Sequence, residues 1–195
     1  MNFFQLLKIK GMHQAMLVSM LTLAVREAMT TYFPLYGIEK GFSLTQIGLI
    51  IGIQGFAAMI IRLLQGKLLQ AFSVKNILFI CLFSSGCCLL SLYFFSDILI
   101  FSIAALLLGL GLGLTQPLST VSVVNIAPVA FSAQALGIRL GGNRLSQLVS
   151  PLSFGMVAQW ATVGFVFGIA AILLMGGSVY YKYSSSDSRS NHNKP

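Results

Sequence analysis

"LTLAVREAMTTYFPLYG", residues 21–37, sets an Arg and a Glu side by side in a stretch otherwise apolar enough to cross a bilayer. A charge at the centre of a membrane helix costs about 2.5–3.5 kcal/mol on the insertion scale, against a gain of about 0.5 kcal/mol per Leu. Arg26 and Glu27 together thus offset about a dozen good apolar residues unless each is paired or hydrated. Neighbours in sequence point about 100° apart round a helix and do not face each other. Each charge therefore needs a partner elsewhere, and the stretch reads as a span that borders something other than lipid.

Composition requires the bilayer. The 195 residues are 56% hydrophobic and 8% charged, with a mean hydropathy of +0.87. A soluble domain carries about 25% charged residues, so this chain could not keep a solvated surface. The net charge of +8 is too thinly spread for a nucleic-acid-binding face. Cys81, Cys87 and Cys88 fall in one apolar run with no His nearby, which reads as helix packing rather than metal binding or a disulfide.

A helix needs about 20 apolar residues to cross the hydrocarbon core. Six stretches qualify: 14–36, 46–66, 77–95, 98–124, 133–158 and 163–181. Turn chemistry separates them. "GIEKGFS" closes the first span, and Ser43 with Gln46 predicts a capping box for the second. Asp97, Pro128 and "WATVG" mark the later breaks. Lys8 and Lys10 precede an apolar run, but no A-x-A-like site follows before the charged pair, so the first span is expected as a retained helix. The tail 184–195, "SSSDSRSNHNKP", is polar and low in complexity, and is expected to be disordered.

Lys and Arg set the orientation. With the N-terminus inside, Lys8, Lys10, Arg62, Lys67, Lys75, Arg139, Arg144, Lys182, Arg189 and Lys194 fall on the cytoplasmic side. The outside receives only Lys40, and Arg26 stays within the membrane. This positive-inside pattern predicts a multi-pass protein of the cell membrane with both termini cytoplasmic.

Polar residues are unevenly shared among the spans. The first holds Arg26 and Glu27, the second Gln54 and Arg62, and the fourth Gln116 and Asn125. The fifth holds Arg139, Asn143, Arg144 and Gln147, while the third and sixth are nearly clean. Intramembrane polar groups normally face a bundle interior or a watery cavity. Spans one, two, four and five are therefore expected to surround something polar, with three and six facing lipid or packed behind. Ser19, Thr22, Arg26 and Thr30 make one stripe at helical spacing, and Arg139, Asn143, Ser146 or Gln147, and Ser150 make another. Arg144 and Arg26 lie about 16 and 18 Å into their spans, near the midplane. Arg62 and Arg139 are shallower and are expected to snorkel to the headgroups. Arg144 is a candidate partner for Glu27. In the fourth span, Gly109 and Gly113 read as a G-x-x-x-G packing pair. Pro117 frees a backbone carbonyl, and Gln116 fits either a cavity or an interhelical hydrogen bond.

This pattern resembles the major facilitator superfamily of secondary transporters. Its members have two six-helix halves, each an inverted 3+3 repeat whose first, second, fourth and fifth helices line the cavity. "GKLLQAFSVKN", from Gly66, is similar to the family's loop motif G-x-x-x-D-R-x-G-R-R in decayed form. Gly66 and Lys75 match, while Gln70 replaces the Asp, Ala71 the first Arg and Ser73 the second Gly. The Asp's gating role therefore does not carry over to Gln70. "SPLSFG", 150–155, is similar to the Gly-Pro-x-x-x-Gly region with Ser150 for the first Gly. "GLGLGLTQPLS" and "ALGIRLGGNRLSQ" look most like the tenth and eleventh helices of a full transporter.

The resemblance implies the C-terminal six-helix half of such a carrier, all-α and half-length. It would transport a small solute by alternating access, coupled to protons and paired with a second six-helix half. Glu27 is the proton-coupling candidate, since a carboxylate in a low-dielectric cavity can take up and release a proton. Arg26, Gln54, Gln116, Asn143, Arg144 and Gln147 are the substrate-cavity candidates. Arg26 and Arg144 would bind an anionic group or hold Glu27 ionised, and an internal ion-pair network fixing the bundle is an equal alternative. A self-contained six-helix homodimer, channel or regulatory subunit is the second reading. A membrane enzyme fares badly, because His13 and His192 lie outside the spans and Asp97 and Asp187 in polar segments. No cofactor, metal or nucleic acid is implied.

Overall fold

The computed structural model describes residue 9 and residues 11–184, the side chain of Ser184 excepted. Lys8, Lys10 and the tail beyond Ser184, on which part of the orientation and the disorder expectation rest, lie outside the described residues. Among the described residues there are six α-helices and a single 3-10 turn, with no strand. In chain order they are α1 (Met12–Glu39), α2 (Leu44–Ala71), α3 (Val74–Phe94), α4 (Ile98–Ile126), α5 (Ser132–Trp160) and α6 (Val163–Ser184), with the turn Val129–Phe131 leading into α5.

Local chemistry sets the ends. Gly41 takes φ +82° in the α1–α2 turn, a backbone region open to Gly at no steric cost. The Ser43 side chain accepts from the Gln46 N–H and the Gln46 side chain from the Ser43 N–H, completing the capping box. Ser73 and Asp97 cap α3 and α4 in the same way with one bond each. The helices overrun the expected spans. α2 continues through "GKLLQA" to Ala71, so Gly66 lies on a helix and only Phe72 and Ser73 separate α2 from α3. Lys, Leu, Gln and Ala are good helix formers, and nothing in that segment breaks the helix before Ser73 caps the next.

At 28 residues, α1 is about 42 Å long, more than the roughly 30 Å hydrocarbon core requires. Four helices, α2, α3, α4 and α6, are both long and apolar enough to cross a membrane. α1 and α5 match them in length, but Arg26, Glu27, Arg139, Asn143, Arg144 and Gln147 dilute their hydropathy.

α3 and α6 pack along each other and against α4 and α1. An aromatic cluster of Phe33, Tyr36, Phe101 and Phe167 fills the core at one end, with Tyr36 and Phe167 ring centres 5.0 Å apart. Lys40 Nζ donates to Ser96 Oγ at 2.8 Å, which brings the α1–α2 and α3–α4 turns to that end. α2 stands apart: it leans on α4, touches α1 little, and leaves Leu49, Phe56, Met59 and Leu63 exposed.

The three glycines of α4 explain how α2 and α3 approach it. A Cβ on Gly109 would run into the Gln54 carbonyl oxygen, and one on Gly113 would lie 2.9 Å from Ala58 Cα. Gly111, on the opposite flank, has no room for a side chain beside Ser85 Oγ of α3. The G-x-x-x-G pair thus meets the backbone of α2, the close approach that small residues permit in membrane helices.

Candidate functional site

α5 is stitched to α1 by a seam of hydrogen bonds running along both helices. Arg139, Asn143, Ser146 and Ser150 recur on one face of α5 and are all buried. Ser146 Oγ donates to the Met20 carbonyl at 2.8 Å and Ser150 Oγ to the Ala24 carbonyl at 2.9 Å. Ser19 Oγ donates to Asn143 Oδ1 at 2.8 Å, and further along Tyr32 OH donates to the Pro151 carbonyl at 2.7 Å. α4 joins through Gln116, whose Nε2 donates to the Ser19 carbonyl at 3.0 Å, and through Ser119, whose Oγ donates to the Ala15 carbonyl at 3.0 Å.

Arg139 corrects the expectation of a snorkelling anchor. It is 5% exposed, and its Nη2 donates to both the Gln116 carbonyl and Gln116 Oε1 at 2.9 Å. Its Nε donates to Ser119 Oγ at 3.2 Å. Its place on the stripe with Asn143 and Ser150 was the signal for burial, and it outweighs shallow depth because α4 offers neutral oxygens within reach. Gln116 makes the interhelical hydrogen bonds that were one of its two readings, and Asn143 joins the same seam.

The Arg-Glu pair divides. Glu27 turns toward α5, where Oε1 accepts from Gln147 Nε2 at 3.2 Å. Gln147 Oε1 in turn accepts from Arg144 Nη1 at 2.9 Å. Arg144 is therefore linked to Glu27 through the amide of Gln147, not by direct pairing. Arg26 turns the other way, into a cleft of about 170 Å³ between α1, α2 and α4. Its polar lining is Arg26, Thr30, Gln54 and Arg62, and Gly109 and Gly113 form part of its wall. No carboxylate lies among these lining residues. Arg62 donates through Nε to the Gly113 carbonyl at 3.2 Å.

A groove of about 1080 Å³ between α1 and α5 is larger, but its walls are mainly Met16, Leu17, Met20, Leu21, Ile138 and Leu145. Such walls suit acyl chains. Its Arg139 and Ser146 have polar atoms engaged in the seam. Charge, not volume, singles out the smaller cleft. Of the expected cavity residues, the structure brings Arg26 and Gln54 together there, with Arg62 added. Arg144 and Gln147 sit with Glu27 on the α5 side, and Gln116 and Asn143 sit in the seam. Gly66, one turn beyond Arg62 on α2, and Lys75 at the start of α3 lie on either side of the α2–α3 turn. Among the described residues no three His, Cys, Asp or Glu side chains gather as a metal site.

All-helical among the described residues, with four helices long and apolar enough to cross a membrane, the chain is an integral membrane protein. It belongs to the Major Facilitator Superfamily, whose profile matches residues 5–195. It is also 25% identical over 164 residues to a "Probable sulfoacetate transporter SauU" of Cupriavidus necator, a match that covers 83% of this chain and 37% of that protein. The chain thus spans little more than a third of that relative's length.

Proposed function

We propose that the chain is a six-span, C-terminal-type half of a carrier with an inverted 3+3 repeat and both ends cytoplasmic in the cell membrane. With a second six-helix half it moves a small organic anion by alternating access. One observation carries the anion reading: two guanidiniums, Arg26 and Arg62, line one small cleft with no carboxylate in its lining. Charges in a membrane interior are retained where they meet a substrate or a partner, and an anionic group is the partner this cleft lacks. The name of the Cupriavidus relative, a "Probable sulfoacetate transporter", supports the same substrate class, since sulfoacetate carries a sulfonate and a carboxylate.

Glu27 is the coupling group in this reading. It sits one residue from the anion-binding Arg26, and Gln147 ties it to Arg144, so protonation at Glu27 acts on the same stretch of α1 that holds the substrate. Uptake of labelled sulfoacetate into proteoliposomes tests both roles. Arg26→Gln is expected to abolish uptake. Glu27→Gln is expected to abolish accumulation driven by a proton gradient while sparing exchange at equal pH. Unchanged gradient-driven uptake in Glu27→Gln would remove the coupling role. Crosslinking in native membranes tests the partner, and a band of this chain with a second six-helix polypeptide is expected.

A further inference from the structure

We propose that Arg62 is a second anion ligand, held in reserve on a carbonyl that Pro117 sets free, and that it selects substrates with two anionic groups. This inference rests on the anion reading above and adds a residue and a substrate class to it.

Proline has no N–H, so the carbonyl four residues earlier loses its helical donor. For Pro117 that carbonyl belongs to Gly113, and Arg62 Nε donates to it at 3.2 Å. Gly113 has no side chain to obstruct this, and it packs against Ala58 of the same helix that carries Arg62. A guanidinium has five N–H donors. The bond to Gly113 uses Nε alone, and the side chain lines the cleft that also holds Arg26.

The resting contact is a cation on a neutral oxygen. Both contacts are charge-assisted on the arginine side, but the carbonyl offers only a dipole where an anionic oxygen adds a full opposite charge, so an anionic oxygen in the cleft outcompetes the Gly113 carbonyl for Arg62. A monoanion at Arg26 leaves Arg62 where it is. A short dianion offers one group to each arginine and neutralises both. Discrimination is then a difference between two binding energies, and Arg62 supplies it.

Equilibrium binding to the chain co-reconstituted in nanodiscs with the six-helix partner that crosslinking identifies tests this, using sulfoacetate and its single-charge halves, methanesulfonate and acetate. The parent chain is expected to prefer sulfoacetate by about tenfold or more, a difference of about 1.4 kcal/mol. Arg62→Gln is expected to erase that preference and leave the two monoanions within about twofold, and Arg62→Lys to keep part of it. Pro117→Ala restores an N–H to the Gly113 carbonyl, weakens Arg62's resting contact, and is expected to tighten sulfoacetate alone by about threefold. Arg26→Gln is expected to lose all three anions.

The two readings fail differently. If the parent chain shows no specific anion binding, or Arg26→Gln binds all three anions as the parent does, the anion function falls and this inference with it. If Arg26→Gln loses binding but Arg62→Gln weakens all three anions equally or none, Arg62 is not a selectivity residue. Pro117→Ala without effect on sulfoacetate overturns the reserve contact, even where Arg62→Gln proves unstable.

Discussion

α5 and α2 are held to the rest of the bundle by opposite means. α5 meets α1 through side chains that reach backbone carbonyls, at Met20 and Ala24, with Asn143 on Ser19. α2 meets α4 through the absence of side chains, at Gly109 and Gly113. Lipid gives apolar helices no reason to associate by hydrophobicity, so hydrogen bonds and close van der Waals contact are what remain. The polar seam consumes its own polar groups and closes. The glycine seam draws on Arg62 Nε at the Gly113 carbonyl, and Arg26 and the remaining donors of Arg62 stay available in the cleft.

The contrast can be broken most severely at Gly109. Gly109→Ala drives a methyl into the Gln54 carbonyl and is expected to cost about 1–3 kcal/mol, read as a lower unfolding midpoint in detergent and looser crosslinking between α2 and α4. A normal midpoint would mean that α2 backs away freely. Next comes Asn143→Ala, which removes the nearer of Ser19's two acceptors and leaves Gln116 Oε1 at 3.4 Å. A loss of up to about 1.7 kcal/mol is expected, the upper range for polar contacts in membrane helices. Ser150→Ala removes one seam bond and is expected to cost about 0.6 kcal/mol, and with Ser146→Ala the two should add. The smallest change expected is at Gly52, where a Cβ meets nothing within 4 Å. Gly52→Ala is expected to stabilise α2 by about 0.5 kcal/mol, the low end of the helix preference for Ala, and a loss there would reveal a partner on the outer face of α2.

Much of the fold could be read in the sequence because the bilayer leaves few choices. Apolar length, Ser43, Asp97 and Pro128 define helices without reference to their neighbours, and the stripe Arg139, Asn143, Ser150 already showed one buried face of α5. The site was harder. Depth placed Arg62 and Arg139 near the headgroups, yet both find carbonyls in α4, and such pairing depends on how helices cross. The Gly113–Pro117 spacing did signal a freed carbonyl, but not that an arginine of α2 would reach it. Arg26 and Glu27 could be seen to point apart. Which helix each would meet could not, because that depends on the order of helices round the bundle.

The glycines of α4 have a mechanical consequence. Two helices that interdigitate through side chains resist sliding, because each tooth must climb out of its notch. Gly109 and Gly113 present α2 with a rail that has no teeth, and Ala57 and Ala58 on the facing side are small. Along so smooth a contact, register rests on bonds more than on interlocking, and Arg62 on the Gly113 carbonyl supplies one.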